Sequence, residues 1–168
     1  MILKSKDVVE KVKKLKLMVF DFDGVFTDNR VITDENGVES VICCRSDTLR
    51  LREVEDVGIR LFVISTETNA VVEARCKKMK IECAQGYKDK HSALSEIAGF
   101  SKLSYSDMGY MGNDVNDLEC MKAVGLSVAP NDAHIDVLRM NPDLVTHKNG
   151  GYGAVRELCD FILDIRRK

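Results

Sequence analysis

The sequence predicts an α/β fold, a doubly wound Rossmann-like parallel sheet in a single domain spanning residues 1–168, with a β-hairpin inserted after the first buried strand. Three observations predict it. Short apolar runs alternate with helical stretches along the whole chain. The runs end in polar clusters, as strands do at the carboxyl edge of an open sheet. At 168 residues the chain has the size of one domain and can bury a substantial core.

Composition narrows the function classes. The formal net charge is −2, which gives no basic footprint for nucleic acid. Lys11-Val12-Lys13-Lys14 is the densest cationic cluster and reads as the wet face of a first helix. No stretch reaches the length of a membrane span, and the N-terminus shows no signal-peptide core. We therefore expect a soluble, cytoplasmic protein without a membrane partner. Six cysteines form no CxxC pair, which suits reduced thiols. His91, His134 and His147 stand far apart in sequence, so no zinc site is expected.

Each element has its own warrant. Residues 5–14 read as an amphipathic helix with Ser5 as cap and Val8, Val9, Val12 and Leu15 inward. Leu17-Met18-Val19-Phe20 is a buried strand with few polar breaks. The Asn29–Thr33 and Val38–Cys43 runs flank Asp34-Glu35-Asn36-Gly37, which is hairpin turn chemistry. Such a ribbon is marginal alone and should rest on the domain or on a partner subunit. Ser46 caps a helix over 47–57 that Gly58 ends. The strand Ile59–Ile64 precedes a helix over 69–79, and the strand Ile81–Ala84 precedes one from Lys90 to about Ile97, stopped by Gly99. The strand Met108–Met111 leads to a helix reaching Val124, and Leu126–Ala129 to one over 132–139. After Asn141-Pro142 come a last short strand, Leu144–Thr146, and a flexible glycine turn, Asn149–Gly153. The final helix, 154–166, places Val155, Leu158, Cys159, Ile162 and Ile165 on one stripe.

Four polar clusters fall at predicted strand ends or helix starts: Asp21/Asp23, Ser65/Thr66, Lys90, and Asn113/Asp114/Asp117. In an open α/β sheet these ends converge on one crevice. Alternation puts Asp21 and Asp23 on one side of their strand. Two carboxylates so close need a cation or a shared proton between them. Ser65 and Thr66 stand where hydroxyls hold a phosphate oxygen ahead of a helix, and Lys90 opens its own helix.

Asp21-Phe22-Asp23-Gly24-Val25 with Thr27-Asp28, then Ile64-Ser65-Thr66, Lys90 and Gly112-Asn113-Asp114-Val115-Asn116-Asp117 resemble, as an ordered set, the four motifs of the haloacid dehalogenase superfamily. The resemblance implies a phosphatase. Asp21 would be the nucleophile and Asp23 the general acid and base. Ser65, Thr66 and Lys90 would bind phosphate, and Asp117 would orient Lys90. Magnesium would be held by Asp21, the Asp23 main-chain carbonyl, Asn113 and Asp114. Many relatives carry Asp where this chain has Asn113, which implies one charge fewer at the metal and weaker affinity. A phospho-acceptor receiver domain fits less well, because it lacks both the Asp-x-Asp spacing and the fourth cluster.

No cap domain fits between Asp28 and Ser65 or between Lys90 and Asn113, so the hairpin stands in its place. That arrangement, with the tail Gly150-Gly151-Tyr152-Gly153-Ala154, is similar to the family of 3-deoxy-octulosonate 8-phosphate (KDO-8-phosphate) and nonulosonate 9-phosphate phosphatases. The resemblance implies a homotetramer in which hairpins associate and neighbours close each other's sites, with Asp47 of Arg45-Ser46-Asp47 facing the substrate. Glu67, Arg75 and Lys78 match the nonulosonate pattern, so a sialic-acid-type 9-phosphate is the expected substrate. The alternatives are an octulosonate 8-phosphate phosphatase and a weakly catalytic tetramerisation module attached to a cytidylyltransferase. Thr66 replaces the usual glycine of the second motif.

Overall fold

The computed structural model describes residues 1–4 and 6–168. Ser5, expected as a helix cap, lies outside the described residues. Among the described residues nine strands and seven α-helices follow one another: β1 (Ile2–Leu3), α1 (Val8–Lys14), β2 (Leu17–Phe20), β3 (Thr27–Thr33), β4 (Glu39–Cys43), α2 (Leu51–Asp56), β5 (Arg60–Ser65), α3 (Ala70–Met79), β6 (Glu82–Gln85), α4 (Lys90–Ser101), β7 (Met108–Met111), α5 (Leu118–Ala123), β8 (Leu126–Ala129), α6 (Ile135–Arg139), β9 (Leu144–Val145) and α7 (Ala154–Arg166). Seven strands form one sheet in the order β1-β9-β8-β7-β2-β5-β6. Its pairs are parallel except for the edge pair β1–β9. The helices cover both faces, the arrangement that right-handed crossovers produce.

The central strand is β2, and all four of its residues are buried. Met18 and Phe20 face one core with Val8, Val12, Leu51, Val72, Val155, Leu158 and Ile162. Leu17 and Val19 face the other, with Leu94, Ile97, Cys120 and Val137. Burying each such side chain is worth about 1.5–3 kcal/mol, so a β2 packed on both sides is anchored against sliding. Phe20 stands beside Met111 of β7 and Val63 of β5. The chain leaves the sheet in opposite directions on the two sides of β2, which opens a crevice at its carboxyl end.

Several elements differ from their sequence reading. The stretch after the hairpin is a 3-10 turn, Arg45–Thr48, and the helix proper is only Leu51–Asp56. Ser46 caps nothing: its hydroxyl faces the Cys44 thiol at 2.9 Å. α4 runs through Gly99 to Ser101, because its end is set by Lys102 in a left-handed turn, with the Leu103 N–H returning to the Ala98 carbonyl. β1 was not anticipated, since two residues carry no periodicity. α7 spans the expected residues and buries the expected stripe, apart from the half-exposed Ile165 at its end. Among the described residues, no helix is long and apolar enough to cross a membrane.

The hairpin β3–β4 is a separate two-stranded sheet. Its register slips between Thr27 and Val31, where Asn29 adopts a left-handed φ of 62°. Gly37, with φ of 76°, makes the far turn. Val31, Ile32, Val38 and Ile42 are all exposed.

Candidate active site

The crevice is built from four segments, those that carry Asp21 and Asp23, Ser65, Lys90 and Asn113. β2 delivers Asp21, whose N–H bonds the Met111 carbonyl at 2.9 Å and so continues the ladder by one residue. The chain then turns sharply through Gly24, at φ 76°. Thr27 secures this turn: its hydroxyl accepts from the N–H groups of Gly24 and Asn29 and donates to Asp23 Oδ1 at 3.2 Å. Asp21, Asp23, Ser65, Thr66, Glu67, Lys90, Asn113 and Asp114 all line one cavity of about 380 Å³.

At its base lies a buried charge cluster. Lys90 Nζ sits 2.7 Å from Asp21 Oδ1 and 2.8 Å from Asp117 Oδ1. All three side chains are nearly inaccessible. Asp117 is saturated, because it also accepts from the Tyr110 hydroxyl and from the N–H groups of Asn113 and Asp114. Asp117 thus ties Lys90 to the loop that carries Asn113. Gly112 is required there, since a Cβ would lie 2.4 Å from the Asp117 Cβ.

Burial raises the Asp21 carboxyl to about 8, and negative Asp117 adds to the rise, while the Lys90 ammonium and the Phe22 N–H oppose it. Burial also raises Asp23, against its bond from Thr27. Lys90 is raised despite burial, because Asp21 and Asp117 flank it. Two carboxylates share one ammonium here, so the cluster is short of positive charge.

The Asn113 amide shows where more can enter. One of its terminal atoms stands 3.0 Å from Asp21 Oδ2 and 2.9 Å from the Asp23 main-chain carbonyl. With nitrogen in that position, the amide donates to both oxygens. With oxygen there, it is spaced from the other two as ligands of an octahedral magnesium ion are, about 2.9 Å apart for bonds of about 2.1 Å. The oxygen-only donor set suits a hard cation, and Asp114 lines the same cavity.

Ser65 is buried, accepts from the Glu67 N–H at 3.1 Å, and keeps its own proton for a ligand. Asn69 caps α3 through the Val71 N–H and reaches Glu39 of the hairpin at 2.6 Å. Glu67 also lines a second cavity, of about 170 Å³, between the hairpin and α3.

The remaining expected substrate residues fall elsewhere. Asp47 is fully buried and accepts from the Arg156 N–H at 2.9 Å, holding the start of α7; a helix start attracts a carboxylate. Arg75 and Lys78 line a separate cavity with Arg45, Thr48, Leu49 and Met79. Within one chain these three do not join the crevice. The sequence reading also missed Tyr110 and the anchoring work of Thr27. Tyr110 lies two residues before a strand-end glycine and looked like ordinary core.

A buried carboxylate–ammonium–carboxylate cluster beside oxygens whose chemistry suits a hard cation, at the carboxyl end of a central parallel strand, fits a hydrolase with a strand-end carboxylate. Residues 67–158 match the model of the haloacid dehalogenase-like hydrolases. The chain is 34% identical over 160 residues to the 3-deoxy-D-manno-octulosonate 8-phosphate phosphatase KdsC of Escherichia coli, covering 95% of this chain and 85% of that one. The 3-deoxy-D-manno-octulosonate 8-phosphate phosphatase of Moraxella catarrhalis, solved with magnesium, phosphate and KDO, superposes with a TM-score of 0.91 at 30% identity, over 97% of this chain and 94% of that one. A segment of the N-acylneuraminate cytidylyltransferase of Oncorhynchus mykiss is 28% identical over 95% of this chain, which spans only 38% of that protein. The chain belongs to the haloacid dehalogenase-like hydrolases. Within them it is a phosphoric monoester hydrolase.

Proposed function

We propose that this protein is a magnesium-dependent phosphatase of phosphorylated 2-keto-3-deoxy sugar acids, with 3-deoxy-D-manno-octulosonate 8-phosphate as its first candidate substrate. The observation that carries the chemistry is Lys90 held between Asp21 and Asp117 at 2.7 and 2.8 Å, which fixes a carboxylate oxygen and a cation at one point. Asp21 attacks phosphorus, the bond to the sugar oxygen breaks, and an aspartyl-phosphate forms. Asp23, whose carboxyl burial raises above its ordinary value, serves as the acid that gives a proton to the leaving alkoxide. It then takes a proton from the water that hydrolyses the acyl phosphate. Lys90 and Ser65 hold the phosphoryl oxygens in transit. Magnesium, when bound by Asp21, the Asp23 carbonyl, Asn113 and Asp114, supplies the positive charge that keeps Asp21 ionised beside an anionic substrate.

The octulosonate takes precedence over the nonulosonate expected from Glu67, because the Escherichia coli and Moraxella relatives bear that activity by name. The nonulosonate remains a second reading, favoured by Glu67 lining both cavities and by the cytidylyltransferase match. We infer a homotetramer as the working form, supported by the exposed apolar hairpin. In it, the cavity of Arg45, Arg75 and Lys78 would serve a neighbouring crevice. Six free thiols suit a reducing cytoplasm.

The test is phosphate release with magnesium over octulosonate 8-phosphate, a nonulosonate 9-phosphate and neutral sugar phosphates. Octulosonate 8-phosphate should give the highest kcat/KM; preference for the nonulosonate would install the second reading. Asp21→Asn should abolish turnover, by more than about 10³-fold, with an unchanged circular dichroism spectrum. Retained activity would remove Asp21 as nucleophile.

A further inference from the structure

We propose that Arg30 of the hairpin recognises the carboxylate of the substrate, an inference that rests on the sugar-acid phosphatase reading above. The cavity of about 170 Å³ between the hairpin and α3 shares Asp23, Asn29 and Glu67 with the reacting crevice, so a phosphate ester bound at Asp21 extends into it. Its charged lining is Asp23, Glu39, Glu67 and Arg30, and Arg30 is the only cation among them. Lys90 lies between Asp21 and Asp117 at the base of the crevice, where it meets the phosphoryl group, and Arg45, Arg75 and Lys78 of the same chain line a different cavity. A substrate carboxylate lying in this cavity has one favourable partner within the chain.

The guanidinium is also prepared for that role. Asp28 Oδ2 accepts from Arg30 Nε at 3.0 Å and from Nη2 at 2.8 Å. That ion pair occupies one edge of the planar fork and fixes its plane. The Tyr152 hydroxyl lies beside it. The end-on edge, with Nη1 and the second proton of Nη2, has the geometry to bind another carboxylate through two parallel bonds. Asp28 is nearly buried, whereas the Arg30 side chain is 77% exposed, so the acid anchors the base at the cavity mouth. The acidic neighbours Glu39 and Glu67 accept hydrogen bonds from sugar hydroxyls. They also repel an anion placed anywhere but at Arg30, which sets the direction in which the sugar lies.

The test is steady-state kinetics of Arg30→Ala, Arg30→Gln and Arg30→Lys on octulosonate 8-phosphate, arabinose 5-phosphate and p-nitrophenyl phosphate, with melting curves for each variant. Arg30→Ala and Arg30→Gln should raise KM for the acid by about 10- to 100-fold, the loss of one charge-assisted bidentate contact. The other two substrates should change by less than about threefold, and Arg30→Lys should recover part of the loss. Arg30→Gln keeps a donor for Asp28 and decides the matter should alanine loosen the hairpin. If wild type prefers the acid and all three variants keep that preference, Arg30 is not the carboxylate site. If wild type handles arabinose 5-phosphate as well as the acid, the sugar-acid reading itself falls.

Discussion

At the scale of single residues, Asn113 has the clearest physical consequence. Its amide can present nitrogen or oxygen to Asp21 Oδ2 and the Asp23 carbonyl. The metal-free site can therefore satisfy those oxygens without a cation, which a carboxylate in the same place could not do. Asn113→Asp should tighten magnesium binding on the order of tenfold, because the ligand set gains a charge. It should also destabilise the metal-free protein by about 1–3 kcal/mol, since a carboxylate then faces Asp21 across about 3 Å. Thermal melts with and without magnesium read both effects, and a variant equally stable in the two conditions would contradict the amide's role. Asp47 is the converse case. Sequence placed it beside the substrate, yet it is fully buried at the start of α7, because three residues of spacing cannot reveal which neighbour a carboxylate will meet.

At the scale of elements, the turn Asn149–Gly153 is a wedge rather than the flexible hinge that its glycines suggest. The Gly150 N–H binds Asp132 Oδ1 at 2.9 Å, and the Gly151 N–H binds the Val25 carbonyl at 3.0 Å. A Cβ on Gly150 would lie 1.9 Å from the Gly24 carbonyl oxygen. The turn is pressed against the loop that carries Asp23, and α7 behind it is held through Arg156 N–H and Asp47. Gly150→Ala should cost about 1–3 kcal/mol from overpacking and lower kcat by 10-fold or more, because Asp23 shifts with Gly24. Denaturant melts and phosphate release measure the two. A variant of normal stability and activity would show that the contact is slack.

At the scale of the whole molecule, the hairpin is the part that one chain leaves unfinished. Val31, Ile32, Val38 and Ile42 are between 56% and 60% exposed on a ribbon outside the main sheet, and a two-stranded ribbon is marginal by itself. Near its turn the hairpin is tied to α3 through Glu39 and Asn69, so association of hairpins would also steady the second cavity. The double variant Ile32→Glu, Ile42→Glu should convert an assembly into monomers by light scattering. Its secondary structure should be unchanged, because exposed positions carry little single-chain stability, within about 0.5 kcal/mol each. A wild type that is itself monomeric at working concentration would refute the assembly.

The sequence by itself determined the alternating elements, the strand-end clusters and the identity of the crevice residues. These follow from periodicity, from turn chemistry and from the rule that parallel strands converge at their carboxyl ends. The resemblance to the haloacid dehalogenase motifs added the expectation that Asp117 orients Lys90. What only the tertiary structure decided was where side chains on different elements meet: Tyr110 beneath Asp117, Thr27 behind Asp23, Asp47 at the start of α7, and Arg30 in the cavity between the hairpin and α3. Local pattern specifies the face a residue occupies, but the partner on the facing element is set by packing between segments far apart in the chain.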